Sequence, residues 1–497
     1  MAYSNKKHIQ QLVYLLKAHG VTEVVLCPGS RNMPIVESLC NGDFNVHRAL
    51  DERSAGFMAV GMAQSSARVA VCVTSGSAVA NLLPSLIEAN LQGLGMVVVT
   101  ADRPKEMIGQ MMGQTMDQIG ALASAVKYSV NVEDDESEDG MWFANREINA
   151  ALISAYYGMN GPVQINMQIK EPFFECTESL LQKFNKIEYT NDLKNLWDSC
   201  KRPLILVGQG RGLDLKVDKN IPVYAEVLSN LDRSKYNVIS DEDIETYNPD
   251  LVIYIGGHIV SKTARISITK MKPKTVVRVG ESLEFPDTFK CLTHVAVVSS
   301  WVGCLKKDVG FRPVSAPYKE NIYPAVYADF LKNIQPNSAV FLANSTTVRA
   351  IDYAYSHLEG TRGKGLRFMC NRGVNGIEGS LSAAVGYASL HPHEPTYIVI
   401  GDLSFFYDVS SLWSVGNNLR ILLVNDGRGS IFSRLRGLEQ TDTVKKYVSE
   451  SHDFSAEGIA LTYKIDYASR NGCMDQKTWL WYNDMSDEKS KLLEVFV

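Results

Sequence analysis

The sequence predicts an α/β protein of three domains, each a mostly parallel sheet flanked by helices. Short apolar runs that end in glycine and polar turn residues alternate with amphipathic helical segments along most of the 497 residues. Many of these runs are apolar at every position, as expected for strands buried on both faces of a parallel sheet. The length suits roughly three domains, which we place at residues 1–175, 195–315 and 325–497.

The composition is that of an ordinary globular protein, with 45% hydrophobic and 21% charged residues. A net charge of −5 argues against binding to nucleic acid or to an anionic membrane surface. No apolar run approaches the ~18 residues of a membrane-spanning helix, and the N-terminus lacks the apolar core of a signal peptide. The nine cysteines form no Cys-x-x-Cys pair, so we expect reduced thiols in a cytoplasmic protein.

The first domain opens with an amphipathic helix at 6–19 and a buried strand at 23–27, which leads into Pro-Gly-Ser-Arg at 28–31. A strand, a glycine-containing turn and a helix start form an anion site, because backbone N–H groups and the positive helix end face the ligand. Arg31 could add a bidentate grip on a carboxylate. An exposed arginine at a helix start explains the same residues equally well.

The next motif is Asp-Glu-Arg at 51–53, directly before an apolar helix at 54–63. Its spacing favours Asp51 as the helix N-cap, with acidic residues in the first turn offsetting the helix dipole. The alternative makes Glu52 a buried acid. Spacing alone favours the cap.

The rest of the first domain follows the same α/β plan. Residues 68–80 are predicted to form a buried strand, a Ser/Gly turn and a helix, and residues 95–104 a strand with Arg103 near its end. A strand at 161–167 completes the domain. The charged residues 174–198 are predicted to form a helix-breaking linker.

The middle domain carries few charged residues at its strand tips, and Lys262 is the exception. Its apolar runs lie at 203–212, 251–256, 275–279 and 294–298. Gly-Gln-Gly-Arg-Gly at 208–212 is a weak match to a dinucleotide fingerprint, because its third glycine is misplaced and no acidic residue clearly ends the next strand. We therefore expect this domain to be mainly architectural, with a loop at 313–318 after it.

The third domain places two carboxylates at strand tips. Asp402 and Asp426 each follow a short apolar run, and the gap between them is long enough for one helix and a parallel return strand. Carboxylate oxygens beside the Gly-rich loop 427–429 suit Mg²⁺, which takes its other ligands from phosphate and water. Backbone N–H groups of the loop could bind the phosphates. The alternative is that both aspartates only cap helices.

The residue types in this region are more specific than their spacing. Gly-Asp-Leu-Ser at 401–404, followed by Asn-Asp-Gly-x-Gly-x-Ile-Phe at 425–432, resembles the diphosphate motif of thiamine diphosphate enzymes. Together with six other motifs, it resembles the 2-succinyl-5-enolpyruvyl-6-hydroxy-3-cyclohexene-1-carboxylate synthases of menaquinone biosynthesis. The six lie at 28–31, 51–53, 74–81, 100–104, 344–349 and 371–379, and the first part of the diphosphate motif extends through residue 408. They cover the first and third domains, whereas the middle domain matches only in outline.

The resemblance implies a cofactor site for thiamine diphosphate and Mg²⁺ or Mn²⁺. Glu52 matches the acid that hydrogen-bonds the aminopyrimidine ring, and Ile377 matches the apolar residue that bends the cofactor. The other implied cofactor contacts are Ser30, Thr74, Gly76, Arg372, Gly373, Leu403, Ser404 and Ile431. The implied metal ligands are Asp402, Asp426 and the backbone carbonyl of Arg428. Thiamine diphosphate enzymes at large usually have glycine where Leu403 stands, although leucine occurs in one branch, and asparagine where Asp426 stands. Asp426 still offers an oxygen but adds a charge, so the metal preference could differ here.

The implied reaction is decarboxylation of 2-oxoglutarate and conjugate addition of the resulting carbanion to isochorismate. Both substrates are dianions, which gives an independent reason for a set of arginines, because planar guanidinium groups pair with carboxylates bidentately. The implied substrate contacts are Arg31, Arg103, Gln114, Lys262, Ser345, Arg349, Ile431 and Phe432. Thr263 stands where the family has a second basic residue beside Lys262.

The resemblance also implies a homodimer or a dimer of dimers, with cofactor sites between the first domain of one subunit and the third domain of its partner. Two alternatives stay open on the sequence. One is another thiamine diphosphate-dependent decarboxylase or carboligase that acts on pyruvate, and the other is a non-catalytic homologue. Retention of Glu52, Asp402 and Asp426 argues against the second.

Overall fold

The computed structural model describes residues 2–158, 160–178, 183–210, 215, 217–297, 307, 309–313, 318–319, 322–358, 360, 364–434, 437–472 and 474–497. Parts of the predicted segments 174–198, 208–212, 294–298 and 313–318 lie outside these residues. The chain divides into two compact units. The first unit is Met1–Asn195 with Thr275–Val302, and the second is Leu196–Lys274 with Gly303–Val497.

The strands are β1 (Tyr3–Ser4), β2 (Glu23–Leu26), β3 (Asn45–Arg48), β4 (Val69–Val73), β5 (Met96–Asp102), β6 (Tyr128–Val132), β7 (Pro162–Gln168), β8 (Cys176–Thr177), β9 (Glu188–Thr190), β10 (Pro203–Val207), β11 (Pro222–Ala225), β12 (Asn237–Val238), β13 (Leu251–Ile255), β14 (Thr275–Gly280), β15 (His294–Val297), β16 (Ala339–Leu342), β17 (Arg367–Met369), β18 (Thr396–Gly401), β19 (Leu419–Asn425), β20 (Asp466–Asn471) and β21 (Lys491–Phe496).

The α-helices are α1 (Lys7–Ala18), α2 (Met33–Cys40), α3 (Glu52–Gln64), α4 (Ser77–Ala80), α5 (Leu83–Gln92), α6 (Gln118–Leu122), α7 (Glu138–Tyr156), α8 (Lys194–Ser199), α9 (Asp241–Tyr247), α10 (Lys262–Met271), α11 (Val326–Asn333), α12 (Thr346–His357), α13 (Ser380–Leu390), α14 (Asp402–Tyr407), α15 (Asp442–Tyr447), α16 (Glu457–Thr462) and α17 (Gln476–Asn483). Short 3-10 helices lie at Lys105–Met107, Val227–Ser229, Arg233–Lys235, Val409–Ser414 and Ser430–Arg434.

The first unit is built on a six-stranded parallel sheet with the order β3-β2-β4-β5-β7-β6. Strands β4, β5 and β7 are buried at every position. Burial on both faces explains the nearly continuous apolar sequence of β4 and β5, whereas β7 alternates apolar and polar side chains. One face packs in a core with α1, α2 and α7, and the other in a core with α3 and α5. The turns after β2, β4 and β5 therefore meet at the carboxyl edge, where ligands bind in open α/β sheets. This unit also holds an antiparallel pair, β1 with β8, and a parallel ladder of β14, β15 and β9.

The second unit contains a six-stranded parallel sheet with the order β17-β16-β18-β19-β21-β20. Apolar cores cover both of its faces. Strands β18 and β19 are neighbours, and Gly401 pairs with Val424 at their ends, so both strand tips lie side by side. A second parallel ladder joins β12, β11, β10 and β13.

The observed parallel sheets and flanking helices confirm the predicted α/β class. The prediction that 174–198 forms a helix-breaking linker is wrong for its described part, which contains β8, β9 and the start of α8. Strand β9 forms because it pairs with β15 about a hundred residues later, and such pairing overrides local composition. Within the described residues, no helix is long and apolar enough to cross a membrane.

Candidate active site

The turn after β2 packs closely against the turn after β4. A side chain at Gly29 would lie 2.3 Å from Cβ of Thr74, so only glycine fits between them. Thr74 is buried, whereas the neighbouring Ser30 is exposed. Gly76 has φ +81° and a Cβ there would lie 3.2 Å from Cα of Gln114. The structure thus brings Ser30, Thr74, Gly76 and Gln114 to one edge of the sheet.

A buried polar network beneath this edge fixes the Gly76 turn. The side-chain oxygen of Gln118 accepts a hydrogen bond from the Gly76 N–H at 2.9 Å. Its amide nitrogen donates to Asn166 Oδ1 at 2.8 Å, and Asn166 Nδ2 donates to Asp102 Oδ2 at 2.9 Å. Sequence reasoning missed these residues, although the amide of Asn166 inside the apolar strand β7 was a signal. Buried polar groups of this kind are retained only when their partners are in place.

Glu52 is the first residue of α3 and is half-buried. Asp51 caps the helix by accepting from the N–H groups of Arg53 and Ser54 at 2.8 and 3.4 Å, so the predicted N-cap is present. The Glu52 carboxylate is not part of that cap, and its Oε2 accepts from Asn81 Nδ2 at 3.0 Å. Burial raises the pKa of the Cys27 thiol to about 11, with the Glu52 charge as a second cause. The Glu52 carboxylate thus contacts Asn81, which follows α4.

Arg31 is buried rather than exposed, so the interpretation as an exposed helix-start arginine is wrong. Its guanidinium donates to the Ile169 carbonyl at 3.2 Å and to Glu171 Oε1 at 3.1 Å, and it lies 4.5 Å from the ring centroid of Phe173. Burial lowers the pKa of Arg31, and the charge of Arg103 adds to this effect. The two arginines therefore influence each other electrostatically.

Arg103 and Asp102 stand at the end of β5. The backbone N–H of Arg103 donates to Asp102 Oδ1 at 2.8 Å, and its Nε donates to the Gly113 carbonyl at 2.8 Å. That second bond ties Arg103 to the segment that carries Gln114. Burial raises the pKa of Asp102, partly offset by the hydrogen bond from Asn166.

In the second unit, Asp402 and Asp426 lie at the adjacent tips of β18 and β19. Asp402 is the first residue of α14 and its side chain is buried. Burial raises the pKa of Asp402 to about 6, and the nearby negative charge of Asp426 contributes to the rise. No lysine or arginine of the described residues forms an ion pair with either carboxylate, and the sole charged-group contact is between Asp402 and His452.

The loop after β19 holds the two carboxylates together through its backbone. The N–H of Arg428 lies 3.2 Å from Asp402 Oδ2 and 3.3 Å from Asp426 Oδ1, so it bridges the pair. Gly427 has φ +69°, and its N–H donates to Asn425 Oδ1 at 3.0 Å. A left-handed residue at this point favours glycine.

These residues fit a divalent cation. Two carboxylates lie beside each other with no lysine or arginine partner among the described residues, and a bound cation would relieve their repulsion. No group of three or more His, Cys, Asp or Glu side chains in the described ranges could hold a metal. The predicted ligand set does not require one, because its third member is a backbone carbonyl and Mg²⁺ keeps few protein ligands.

Apolar residues flank this pair. Leu403 donates its N–H to Asp402 Oδ1 at 2.6 Å, and its side chain lies 3.4 Å from the Cβ position of Gly429. Ser404 is buried in the same helix. Ile431 and Phe432 lie in the 3-10 helix that follows the loop and are half-buried. The structure therefore brings four predicted residues, Leu403, Ser404, Ile431 and Phe432, around the loop that follows β19.

A second group of predicted residues surrounds the start of α12. Ser345 has φ +70°, a sparsely populated conformation for a residue other than glycine. Its carbonyl accepts from Arg349 Nη1 at 2.5 Å. Arg372 is buried, donates from Nη1 to Asn344 Oδ1 at 3.0 Å, and has an Nε atom without a hydrogen-bond partner in the described residues. The arginines are held near strand tips, as predicted for anion contacts.

The loop that follows β17 exposes Gly373 and Ile377. Asn344 holds this loop by donating to the carbonyls of Asn371 and Gly376 at 2.8 and 2.7 Å. Ile377 is 37% exposed, as expected for an apolar side chain that contacts a ligand. Lys262 is the first residue of α10 and is exposed.

Sequence reasoning missed the residues that hold the loop after β19 from the other side. Asn425 Nδ2 donates to Glu494 Oε1 at 2.8 Å, and Glu494 is fully buried in β21. The backbone N–H of His452 donates to the Gly427 carbonyl at 2.8 Å. A glutamate inside the apolar run of β21 was a visible signal, whereas the surroundings of His452 in the sequence are polar and gave none.

Comparison with known proteins first gives the class. Residues 6–121 match the family model described as "Thiamine pyrophosphate enzyme, N-terminal TPP binding domain". This range contains the turns around Gly29 and Gly76 and the acid Glu52. The protein is thus a thiamine diphosphate-dependent enzyme.

The relatives then give the family. A 2-succinyl-5-enolpyruvyl-6-hydroxy-3-cyclohexene-1-carboxylate synthase of Bacteroides thetaiotaomicron is 37% identical, over 92% of this chain and 89% of the relative. Proteins of the same name from Porphyromonas gingivalis and Flavobacterium johnsoniae are 30% and 29% identical, over 99% and 100% of this chain and 95% and 97% of the relatives. The chain belongs to the 2-succinyl-5-enolpyruvyl-6-hydroxy-3-cyclohexene-1-carboxylate synthase family. The predicted family is confirmed, and the two alternatives are not favoured.

Proposed function

We propose that this enzyme decarboxylates 2-oxoglutarate and adds the remaining fragment to isochorismate, giving 2-succinyl-5-enolpyruvyl-6-hydroxy-3-cyclohexene-1-carboxylate for menaquinone biosynthesis. The observation that carries the proposal is that synthases of this name match nearly the whole chain. The acid Glu52 and the facing pair Asp402 and Asp426 give the chain the groups that such a reaction needs.

The metal and cofactor contacts are part of the proposal. Asp402, Asp426 and the backbone carbonyl of Arg428 would bind Mg²⁺ or Mn²⁺, and backbone N–H groups of the loop would face the diphosphate. When bound, thiamine diphosphate supplies the carbon nucleophile and the electron sink for decarboxylation. Glu52 would accept a hydrogen bond from the aminopyrimidine ring and exchange a proton there. Asn81, which holds Glu52 Oε2 at 3.0 Å, would keep the carboxylate oriented.

The remaining cofactor contacts would come from the same loops. Ile377 would support the bent cofactor, and the buried Arg372 would neutralise charge beside it. The other cofactor contacts we propose are Ser30, Thr74, Gly76, Gly373, Leu403, Ser404 and Ile431.

The substrate contacts would be mainly cationic, because both substrates carry two carboxylates. Arg31 and Arg103 influence each other electrostatically at one sheet edge, and Arg349 stands at the start of another helix. Guanidinium groups bind carboxylates with two parallel hydrogen bonds. Gln114, Lys262 and Ser345 would add polar contacts, and Ile431 and Phe432 would cover the apolar side of the ring.

We also propose a homodimer or a dimer of dimers in the cytoplasm, with the domain limits 1–175, 195–315 and 325–497. Exposed apolar side chains on and beside α3 and α5 support an interface there. Leu50, Phe57, Ile87 and Leu91 are 85%, 46%, 43% and 82% exposed. A group of this kind usually marks an interaction surface, and a second copy would cover it.

The test follows isochorismate loss by absorbance, with thiamine diphosphate, Mg²⁺ and 2-oxoglutarate each omitted in turn. The proposal expects loss only when all are present. The Glu52→Gln variant should fold but not turn over, because its amide cannot take up a proton. Consumption that persists without 2-oxoglutarate, or that requires pyruvate instead, would reject the proposed substrate pair.

A further inference from the structure

His452 has a single ring orientation beside the carboxylate pair. Its side chain is 6% exposed. The ring stacks on Phe454 with centroids 5.1 Å apart and planes at 16°, and it meets the edge of Phe406 at 5.5 Å and 89°. Two aromatic neighbours at these angles leave the imidazole little freedom to rotate.

The hydrogen bonds of the ring define its tautomer. Nδ1 accepts from the backbone N–H of Phe454 at 3.1 Å, so the Nδ1 lone pair is in use. A neutral imidazole carries one proton, which must then reside on Nε2. Nε2 is buried, has no hydrogen-bond partner by distance and angle among the described residues, and lies 3.4 Å from Asp402 Oδ2. The contact falls short of hydrogen-bond geometry, so within the described residues the Nε2–H is a buried, unpaired donor beside the carboxylate, and a small shift of either group would pair them.

The same tautomer excludes His452 as a metal ligand. Coordination through Nε2 needs its lone pair, which requires the proton on Nδ1. A proton on Nδ1 would oppose the Phe454 N–H at 3.1 Å. The ring can therefore act on a cation only through Asp402.

We propose that His452 is the positioning residue of the metal site, and that its Nε2–H holds Asp402 in the orientation that binds the cation. The inference rests on the proposed metal site. His452 reaches both strand tips, because its ring faces Asp402 after β18 while its backbone N–H donates to Gly427 after β19 at 2.8 Å. One residue thus sets the separation of the two metal-binding segments.

A contact between His452 and Asp402 is expected to strengthen metal binding. Metal-binding carboxylates are themselves held by hydrogen bonds, and loss of one outer partner typically weakens metal binding about 10–100-fold. The other groups that hold the Asp402 carboxylate are backbone N–H groups, among them that of Arg428 at 3.2 Å from Oδ2 and that of Leu403 at 2.6 Å from Oδ1. Removing the ring N–H would take away the side-chain contact and leave these backbone groups.

The experiment compares His452→Phe with His452→Gln in the full chain with thiamine diphosphate. The phenylalanine keeps the aromatic stacking but has no N–H, whereas the glutamine amide can place an N–H near the position of Nε2. Mn²⁺ binding is measured by the loss of the electron paramagnetic resonance signal of free Mn²⁺. We expect the Phe variant to bind Mn²⁺ about 10–100-fold more weakly, and the Gln variant to recover most of the affinity.

The controls distinguish failure of the positioning role of His452 from failure of the proposed metal site. Thermal unfolding without metal should be similar for both variants and wild type, and His452→Met replaces the Phe variant if the latter does not fold. Wild-type affinity in the Phe or Met variant, or an equal loss in the Gln variant, would overturn the positioning role alone. If Asp402→Asn binds Mn²⁺ as wild type does, the metal site is wrong and the role of His452 falls with it.

Discussion

Buried charges are paired differently at two sheet edges. One is the carboxyl edge of the six-stranded sheet in the first unit, and the other is the carboxyl edge of the sheet that contains β18 and β19. In the first unit, Arg31 is satisfied by the Ile169 carbonyl and Glu171, and Asp102 is satisfied by Asn166. In the second unit, Asp402 and Asp426 face each other and share one backbone N–H. At the first edge the charges of Arg31 and Asp102 are therefore paired within the chain, whereas the second edge has a geometry that a cation would complete.

The largest effect should come from the second edge. Asp402→Asn removes a proposed metal ligand and is expected to lower kcat/KM by about 10³-fold or more, since a bound metal contributes several kcal/mol to such sites. Mn²⁺ binding should fall in parallel. The matched control is Asp102→Asn, a buried aspartate at the first edge, which should leave Mn²⁺ affinity unchanged. Equal losses of metal affinity in the two variants would remove the distinction between the edges.

The repulsion between Asp402 and Asp426 should also make the stability of the metal-free protein depend on pH. The pKa of Asp402 is raised from 3.8 to about 6, so the folded chain binds more protons than the unfolded chain between these values. Without metal, the free energy of unfolding should fall as pH rises through this window, by on the order of 3 kcal/mol. Urea denaturation of wild type and Asp402→Asn in chelator measures the difference. The same slope in both proteins would contradict the assignment.

A substitution in the polar network of the first edge should lower the stability of the fold. Gln118→Leu removes the acceptor of the Gly76 N–H and one of the two donors to Asn166 Oδ1, which keeps the Thr100 hydroxyl. This should lower the free energy of unfolding by about 1–3 kcal/mol. Chemical denaturation measures the change. Gln64→Leu is the control, because Gln64 is bonded only to Gln92 at the surface and should change stability by less than about 0.5 kcal/mol. Similar values for both would mean that the network does not fix the turn.

The smallest effect concerns the ion pair of Arg31. Glu171 is 63% exposed, so Glu171→Gln should change stability by less than about 1 kcal/mol. If Arg31 binds a substrate carboxylate, loss of the competing Glu171 charge should lower KM for one substrate with little change in kcat. Glu133→Gln, which loses a surface pair with Lys105, should leave KM as it is. A raised KM in the Glu171 variant would instead make Glu171 part of the binding geometry.

The sequence predicted what is local. Apolar runs located β2, β4, β5, β18 and β19, and strand tips located Asp402 and Asp426, because parallel strands end at one edge. The sequence did not show which distant residues contact these positions. Arg31 is buried by residues near 170, and Asn425 is held by Glu494, both far along the chain. Backbone donors, such as the Arg428 N–H, leave no trace in the sequence.

The pairing of Asn425 with Glu494 has a consequence for biosynthesis. Strand β19 leaves the ribosome before β21, yet β21 lies directly beside it in the finished sheet and supplies Glu494. Until β21 arrives, the segment after β19 lacks its anchor, and the nascent sheet exposes an unpaired strand edge. The order of synthesis therefore delays assembly of the proposed metal loop until the sheet around it is nearly complete, so a partly made chain would hold a cation poorly.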